Sequence, residues 1–382
     1  MKILHQLGHN NKWNRDAYTN NLAGKGFILS PVNIKPNKIK TYFTGEMLKN
    51  SFLDPQCYKL EDKKESLNAY PYFLDELQEG LHSIALDSRS EEISRKCIDF
   101  QMEFDFSHLV IPAMYSETDL DFQLKRNKSI FIDPFLNDIK NKNINKKILL
   151  TVIVHESYIC SSDLRLYLLN WISSFPEIDG VYLIPKTTSE EPIDNEKFLF
   201  NFLEFINYLK EMELETYIGY TGIEGLIYSA AMPDAITVGV YKNLRSFSLN
   251  RFSKEKTGMR SPYPRIFSHI YLNWIRYDNA LLMPNIESFF DMTNYNVKNF
   301  YPEGKNPHFS NPLLYLHYFD CFNRLCEKLP HKQTDRIDWL ISYINNSINI
   351  LIKQSDPEEF EHLYSWLKVL KKLKKNLVKK GI

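Results

Sequence analysis

Asp54 stands in "SFLDPQCY" (51–58), where an apolar pair, Phe52 and Leu53, runs into a carboxylate that a proline follows at once. A carboxylate at the end of a buried strand can orient a substrate, move a proton or act as a nucleophile. The plainer alternative is an Asp-Pro turn capped by the Asp side chain. His155 and Glu156 close a second run, "ILLTVIVHES" (148–157). Adjacent strand residues point to opposite faces, so at most one of the two can face a given site. The pair is not a zinc-protease H-E-x-x-H, because Ile159 takes the place of the second histidine. Asp54, His155 and Glu156 are the catalytic candidates, with a hydrogen-bonded rim role as the alternative for the last two.

Binding candidates lie at similar places. Ser30 closes "GFILSP" (26–31) and Lys186 closes "GVYLIPK" (180–186). A lysine there can hold an anion or, desolvated, form a Schiff base; an ordinary surface lysine is the alternative. In "GYTGIEGL" (219–226), Gly219 and Gly222 permit close backbone approach, and free N–H groups at a helix start can hold an anion. Gly222 and Glu224 are thus candidate phosphate or base contacts, although Glu224 also suits the first turn of a helix without any chemistry. In "VGVYKNLRSF" (238–247), Tyr241, Asn243 and Arg245 are candidates at the end of a run; Tyr241 could stack on a base and Arg245 with Arg251 could fork a phosphate, a well-anchored loop being the alternative. Two weaker metal patterns exist. His5 and His9 are four apart, but Gly8 weakens a helix there and a loop closing one end of the fold fits better. Cys321 and Cys326 are spaced C-x4-C without a second pair, which suits two thiols on one helix.

These residues need a scaffold. Eight short runs rich in Ile, Leu and Val recur, at 26–31, 51–56, 108–114, 148–157, 180–186, 216–222, 234–243 and 279–285. Unalternating apolar runs suit strands buried on both faces of a parallel sheet. Between them lie helical patterns: Leu164, Leu168 and Ile172 at spacing four, then Phe198, Phe202, Phe205 and Ile206. Alternating strands and helices predict a (β/α)8 TIM-type barrel over roughly residues 1–300. Five runs end in proline, at Pro31, Pro55, Pro112, Pro185 and Pro284. Proline lacks an N–H and stops a ladder, which would leave Ser30 and Asp54 at the C-terminal rim, where barrel enzymes keep their chemistry. Behind the apolar Ile111, Ile184 and Met283 the prolines read as strand terminators only.

Three helices are expected after the barrel, near 308–329, 333–354 and 357–380, as a helical extension (301–382) packed on it. The last carries an apolar stripe, Leu363, Trp366, Leu370, Leu373 and Leu377, among seven lysines between Lys368 and Lys380. Those lysines could bind RNA or DNA; a solvated helix face is the alternative. Over the whole chain 47 basic residues balance 47 acidic ones, so a global basic field for nucleic acid is absent. Five scattered cysteines, no ~20-residue apolar run and no leader-like start predict a soluble cytoplasmic protein without membrane association. The polar, basic stretch 243–265 is long for a barrel loop and is expected to cover the site or bind a partner.

The text "YIGYTGIEGLIYSAAMPDAITVGVYKNLRSF" (217–247) resembles the barrel of the tRNA-guanine transglycosylases, in which a Gly-x-Gly strand leads to a short helix, a Gly-x-Asp strand and an Arg-bearing loop. "VIVHES" is similar to that family's fourth strand. The resemblance covers about a tenth of the chain. It implies a related barrel that binds a nucleobase or nucleotide. The family's base-recognising Asp would fall on His155 and its nucleophilic Asp near Thr237, and its three-Cys, one-His zinc site and Gly-Gly motif have no counterpart. The resemblance therefore does not carry the transglycosylase mechanism to these residues. Two functions follow as expectations. The first is an enzyme acting on a nucleobase, nucleotide or nucleic-acid base, at an N-glycosidic bond and without a cofactor. The second is a non-catalytic barrel that serves as a partner-binding subunit in a nucleic-acid-directed assembly.

Overall fold

The computed structural model describes residues 1–60, 63–74, 83–115, 117, 119–188, 191–254, 262–300, 307–353 and 360–380. Eight strands form its centre: β1 (Lys2–Gln6), β2 (Gly26–Leu29), β3 (Phe52–Leu53), β4 (Leu109–Ile111), β5 (Ile148–His155), β6 (Gly180–Lys186), β7 (Glu215–Ile218) and β8 (Ala235–Gly239). All neighbours pair in parallel in the order β3-β2-β1-β8-β7-β6-β5-β4. Pairing of β1 with β8 curls the sheet until its two edges meet. At that seam Ser107 donates its N–H and its Oγ–H to the Ser51 carbonyl, each at 2.9 Å. Helices lie between the strands, so the fold is a (β/α)8 barrel. No described helix is long and apolar enough to cross a membrane.

Two strand assignments from the sequence are corrected. The barrel begins at Lys2–Gln6, a stretch that reads as a loop because His5 and Gln6 interrupt its apolar pattern. Its eighth position is therefore filled by β8, and the run 279–285 is instead the helix Tyr277–Leu282, with Leu282 86% exposed. Pro284 thus ends no strand. Nor does Pro185, which pairs with Val154 inside β6. The side of β6 that Pro185 faces has already lost its partner, since β7 leaves the ladder at Ile218, so a missing N–H is tolerated there. Among the surrounding helices, Glu196–Glu211 buries Phe198, Phe202, Phe205 and Ile206 as its pattern predicts. Ser162–Ser173 buries Leu168, Leu169 and Ile172 but leaves Leu164 exposed.

The C-terminal helices, Pro312–Glu327, Gln333–Leu351 and Glu361–Lys380, complete the outer ring. The connection from β7 to β8 holds only short helical turns, Gly225–Tyr228 and Ser229–Ala231, which cannot cover the sheet. Gln333–Leu351 lies over them: Gln333 donates to the Ala230 carbonyl at 2.8 Å and Arg336 to that of Ser229 at 3.1 Å. Pro312–Glu327 packs beside β1, where Phe319 meets the His5 ring edge-on at 4.9 Å. Glu361–Lys380 runs along Glu196–Glu211 and buries its whole predicted stripe. Its Trp366 is fully buried and donates its indole N–H to the Ile193 carbonyl at 2.7 Å. Trp366→Ala should cost about 3–5 kcal/mol, as large aromatic deletions from a packed core do. Urea unfolding measures this; a loss under ~1 kcal/mol would mean that the last helix hangs on the barrel without supporting it.

Candidate functional site at the barrel mouth

Asp54 is the residue after β3, and it points along the barrel axis toward the C-terminal mouth, fully buried. Five donors converge on it. Tyr58 donates to Oδ1 at 2.6 Å and the Gln56 N–H at 3.1 Å, while Tyr220 donates to Oδ2 at 3.1 Å. The Gln56 amide and the Tyr182 hydroxyl stand 3.4 Å from Oδ2, and Tyr182 lies equally far from Gln6 Oε1. Burial pushes the Asp54 carboxyl up to about 6, against hydrogen bonds from Tyr58, Tyr220 and Gln56 that favour its charged form. The result is a carboxylic acid that titrates near neutral pH.

Local structure explains how so many groups meet. Tyr182 stands on β6 and crosses the axis; a Cβ on Gly219 would lie 2.5–2.8 Å from its ring, so the residue after β7 has to be glycine. Gln56 and Tyr220 both hold left-handed backbone angles, φ 58° and 52°, which turn their side chains back toward Asp54. Such conformations cost a non-glycine residue ~1 kcal/mol or more and persist where packing enforces them. Ser30, buried after β2, accepts from the Gln56 amide at 2.9 Å and from Arg251 at 3.2 Å.

The segment after β8 covers this mouth. Phe247 packs edge-on against Tyr58 and Tyr220, and Phe252 against Tyr58, at 4.9–5.4 Å. Arg251 reaches across to the Leu7 carbonyl (3.0 Å) and Asn33 Oδ1 (2.7 Å). Part of the long loop expected from the sequence, residues 255–261, lies outside the described residues. Thr237, where the family pattern places a nucleophile, is buried and bonded to Thr221, its Oγ1 accepting from the Thr221 N–H at 3.1 Å.

A second cluster adjoins the first across Tyr220. Arg245 is 7% exposed; its Nε donates to both Glu191 oxygens at 2.9–3.0 Å and its Nη1 to the Gly239 and Val240 carbonyls. The guanidinium stacks 4.4 Å from the centre of the Trp274 ring, which the antiparallel hairpin β9 (Arg265–Ser268) and β10 (Asn273–Arg276) brings in. Glu224 is 2% exposed and accepts the Gly222 N–H at 2.7 Å. Burial and the neighbouring Glu191 charge push its carboxyl well above the usual range. Arg245 is consequently not free to fork a phosphate, contrary to the expectation from sequence.

The remaining candidates stand outside the mouth. β5 ends at His155, which caps the helix Glu156–Cys160 and bonds Ser157. The bonds of His155 and Glu156 go elsewhere than to Asp54. Glu156 instead accepts from Thr188 and Asn195 and so anchors the loop after β6. Lys186 pairs with Glu117 at 2.8 Å over the Tyr115 ring. Tyr241 bonds Asn10 and packs against Trp13 and Tyr315, away from Asp54, and Asn243 is exposed. His5 is buried between Ala23 and Asn14, and burial lowers its imidazole to about 4, so it stays neutral. Among the described residues no group of three or more His, Cys, Asp or Glu could hold a metal ion.

Sequence reasoning missed Gln6, Gln56, Tyr58, Tyr182, Tyr220 and Glu191. A signal existed for Tyr182, an aromatic phenol amid the aliphatic "GVYLIP", and for Gln6, an amide ending a short buried run. Glu191 carries none, since it sits in a polar loop. No family model matches this chain, and no curated protein sequence matches it.

Proposed function

We propose that this barrel is an enzyme acting on a nucleobase, nucleotide or nucleic-acid base, with Asp54 as the catalytic carboxylate of N-glycosidic chemistry. The observation that carries the reading is the fully buried Asp54 at the C-terminal mouth, ringed by phenol and amide groups and titrating near 6. Protonated, such a carboxyl can give its proton to the leaving base nitrogen; ionised by that step, it can attack or stabilise the electron-poor sugar carbon, and it recovers the proton from the incoming base N–H when that base displaces it. The flat rings of Tyr182 and Tyr220 suit a planar heterocycle, and the amides of Gln6 and Gln56 suit its polar edges. Gln6 Nε2 is buried without a partner among the described residues, which leaves a donor to offer. Arg251, with a buried Nη1 also lacking a partner, replaces Arg245 as the group for a phosphate. Because Asp54 is sealed, ligand entry requires the segment 246–252 to move. Five free cysteines agree with a reducing, cytoplasmic setting.

The test is exchange of radiolabelled guanine, and in parallel adenine, into bulk tRNA and into duplex DNA. Asp54→Asn should lower any exchange by at least ~10³-fold, the order expected when a catalytic group is removed. Unchanged exchange by that variant would remove Asp54 from the chemistry.

The sealed mouth favours one alternative, a non-catalytic barrel that binds a partner in a nucleic-acid-directed assembly. The lysine-rich helix is its natural contact, although Lys368 and Lys374 are paired with Glu196 and Asp338 and Lys372 lies over Phe200. If this helix binds RNA or DNA, changing Lys371, Lys372, Lys374 and Lys375 to Gln should flatten the salt dependence by up to about four phosphate contacts, each contributing ~0.9 to the log–log slope. Filter binding between low and moderate salt reads this directly, and an unchanged slope makes the helix a surface element only.

A further inference from the structure

The cluster beside Asp54 has more acid than its single arginine can match. Glu191 and Glu224 are 6% and 2% exposed and face one guanidinium, that of Arg245. Glu191 takes the guanidinium Nε with both oxygens, whereas Glu224 Oε2 has no hydrogen-bond partner among the described residues. The two carboxylates and Arg245 line a small cleft with Pro185, Thr187, Ile193, Tyr220 and Ser246. The cavity is about 10 Å³, roughly the space for one water-sized group. Gly222 keeps it open: a Cβ there would stand 2.7 Å from Glu191 Oε1 and 2.8 Å from Glu224 Oε2. The buried hydroxyls of Tyr228 and Tyr318, close enough to feel the Glu224 charge, also lack partners among the described residues.

We infer that this cleft is a cation subsite that takes an ammonium head group, with Glu224 Oε2 and Glu191 as its acceptors. An ammonium is compact and presents its donors in several directions, which fits a one-water space bounded by two carboxylates. A planar amidinium or guanidinium does not fit that volume. A metal ion is disfavoured because only two carboxylates line the cleft, and among the described residues no third His, Cys, Asp or Glu joins them. Tyr220 lines the cleft and hydrogen-bonds Asp54, so the head group would sit one side chain from the carboxylate assigned the chemistry. The subsite does not require Asp54 to be catalytic. Its cation is either free ammonium or the terminal amine of a larger ligand.

The charge balance sets the signature. Glu224 faces Glu191, Arg245, Tyr228 and Tyr318, and without a cation the excess negative charge is relieved by a proton on Glu224. A cation must displace that proton, so binding should release about one proton near neutral pH. Calorimetric titration of the intact protein with ammonium chloride and with methylammonium chloride, each in HEPES and in phosphate, measures this. Binding of either salt with proton release, weakened at least about tenfold in Glu224→Gln, is the expected result. Methylammonium binding as tightly as ammonium points to the terminus of a larger amine, and preference for ammonium points to the free ion; both support the subsite. Gly222→Ala, which fills the cleft, should abolish binding in the same way. Asp54→Asn should bind as the parent does, so loss of base exchange and loss of cation binding are separable. No binding of either salt up to about 50 mM, about 1.8 kcal/mol of affinity, or equal binding by Glu224→Gln, overturns the assignment.

Discussion

At pH 8, Asp54→Asn should be more stable than the parent while losing its turnover. An acid that titrates at about 6 in the folded protein and at 3.8 in its ordinary state prefers to keep its proton when folded. Its contribution to stability is therefore full below the unfolded value and is lost as pH rises from about 4 to 6. Above that range the ionised Asp54 burdens the fold by about 3 kcal/mol, at roughly 1.4 kcal/mol per pH unit. Asn keeps the shape and an acceptor for Tyr58 but cannot ionise. The stability gap between variant and parent should thus be near zero at pH 4 and approach ~3 kcal/mol by pH 8. Only the difference is informative, because other carboxyls titrate the opposite way. Glu215, on the N-terminal face of the barrel, is an example. Burial raises its carboxyl, but hydrogen bonds from Lys147, His108 and Tyr217 overcome this and hold it at about 2. Urea titrations at a series of pH values decide the matter. A gap that does not change with pH, or a variant weaker than the parent at pH 8, would show that Asp54 is comfortable as a buried anion and is not poised for proton transfer.

The parts of this molecule legible in its sequence are those set by local pattern. Strands β2 to β8 announce themselves as aliphatic runs because both faces of a parallel barrel strand are buried. β1 does not, since three of its five residues are polar and two of them, His5 and Gln6, do work that only the folded barrel explains. His5 turns outward to Ala23 and Asn14, and Gln6 turns inward to Tyr182. The run 279–285 fails in the other direction: it is short, apolar and followed by proline, so periodicity cannot tell it from a strand. Asp54 was readable because a charge directly after a buried pair is unusual in any context. Its partners were not, because Tyr58, Tyr182 and Tyr220 look like ordinary core aromatics until the barrel closes and brings β3, β6 and β7 to one axis. His155, Glu156 and Lys186 end the two longest strands, and their bonds go to Ser157, to Thr188 and Asn195, and to Glu117 rather than to Asp54.

Arg245→Met should destabilise the protein by about 3–5 kcal/mol at pH 8, the cost of leaving buried charge without its partner. Methionine fills much of the same space against Trp274, so the loss reports electrostatics more than packing. Glu191 then faces the protonated Glu224 with no cation to answer its charge. The stronger check is a double-mutant cycle. Glu191→Gln alone removes the charge and one of the two oxygens that accept from Arg245 Nε, and should be destabilising. In the Arg245→Met background the same change removes the unpaired charge and should restore stability. A change of sign of this kind, amounting to an interaction energy on the order of 2 kcal/mol or more, is expected of groups in one buried network and not of independent sites. Additive losses would mean that the arginine is held by its two backbone carbonyls and the Trp274 ring alone. The acid pair would then carry no excess charge for a cation to answer.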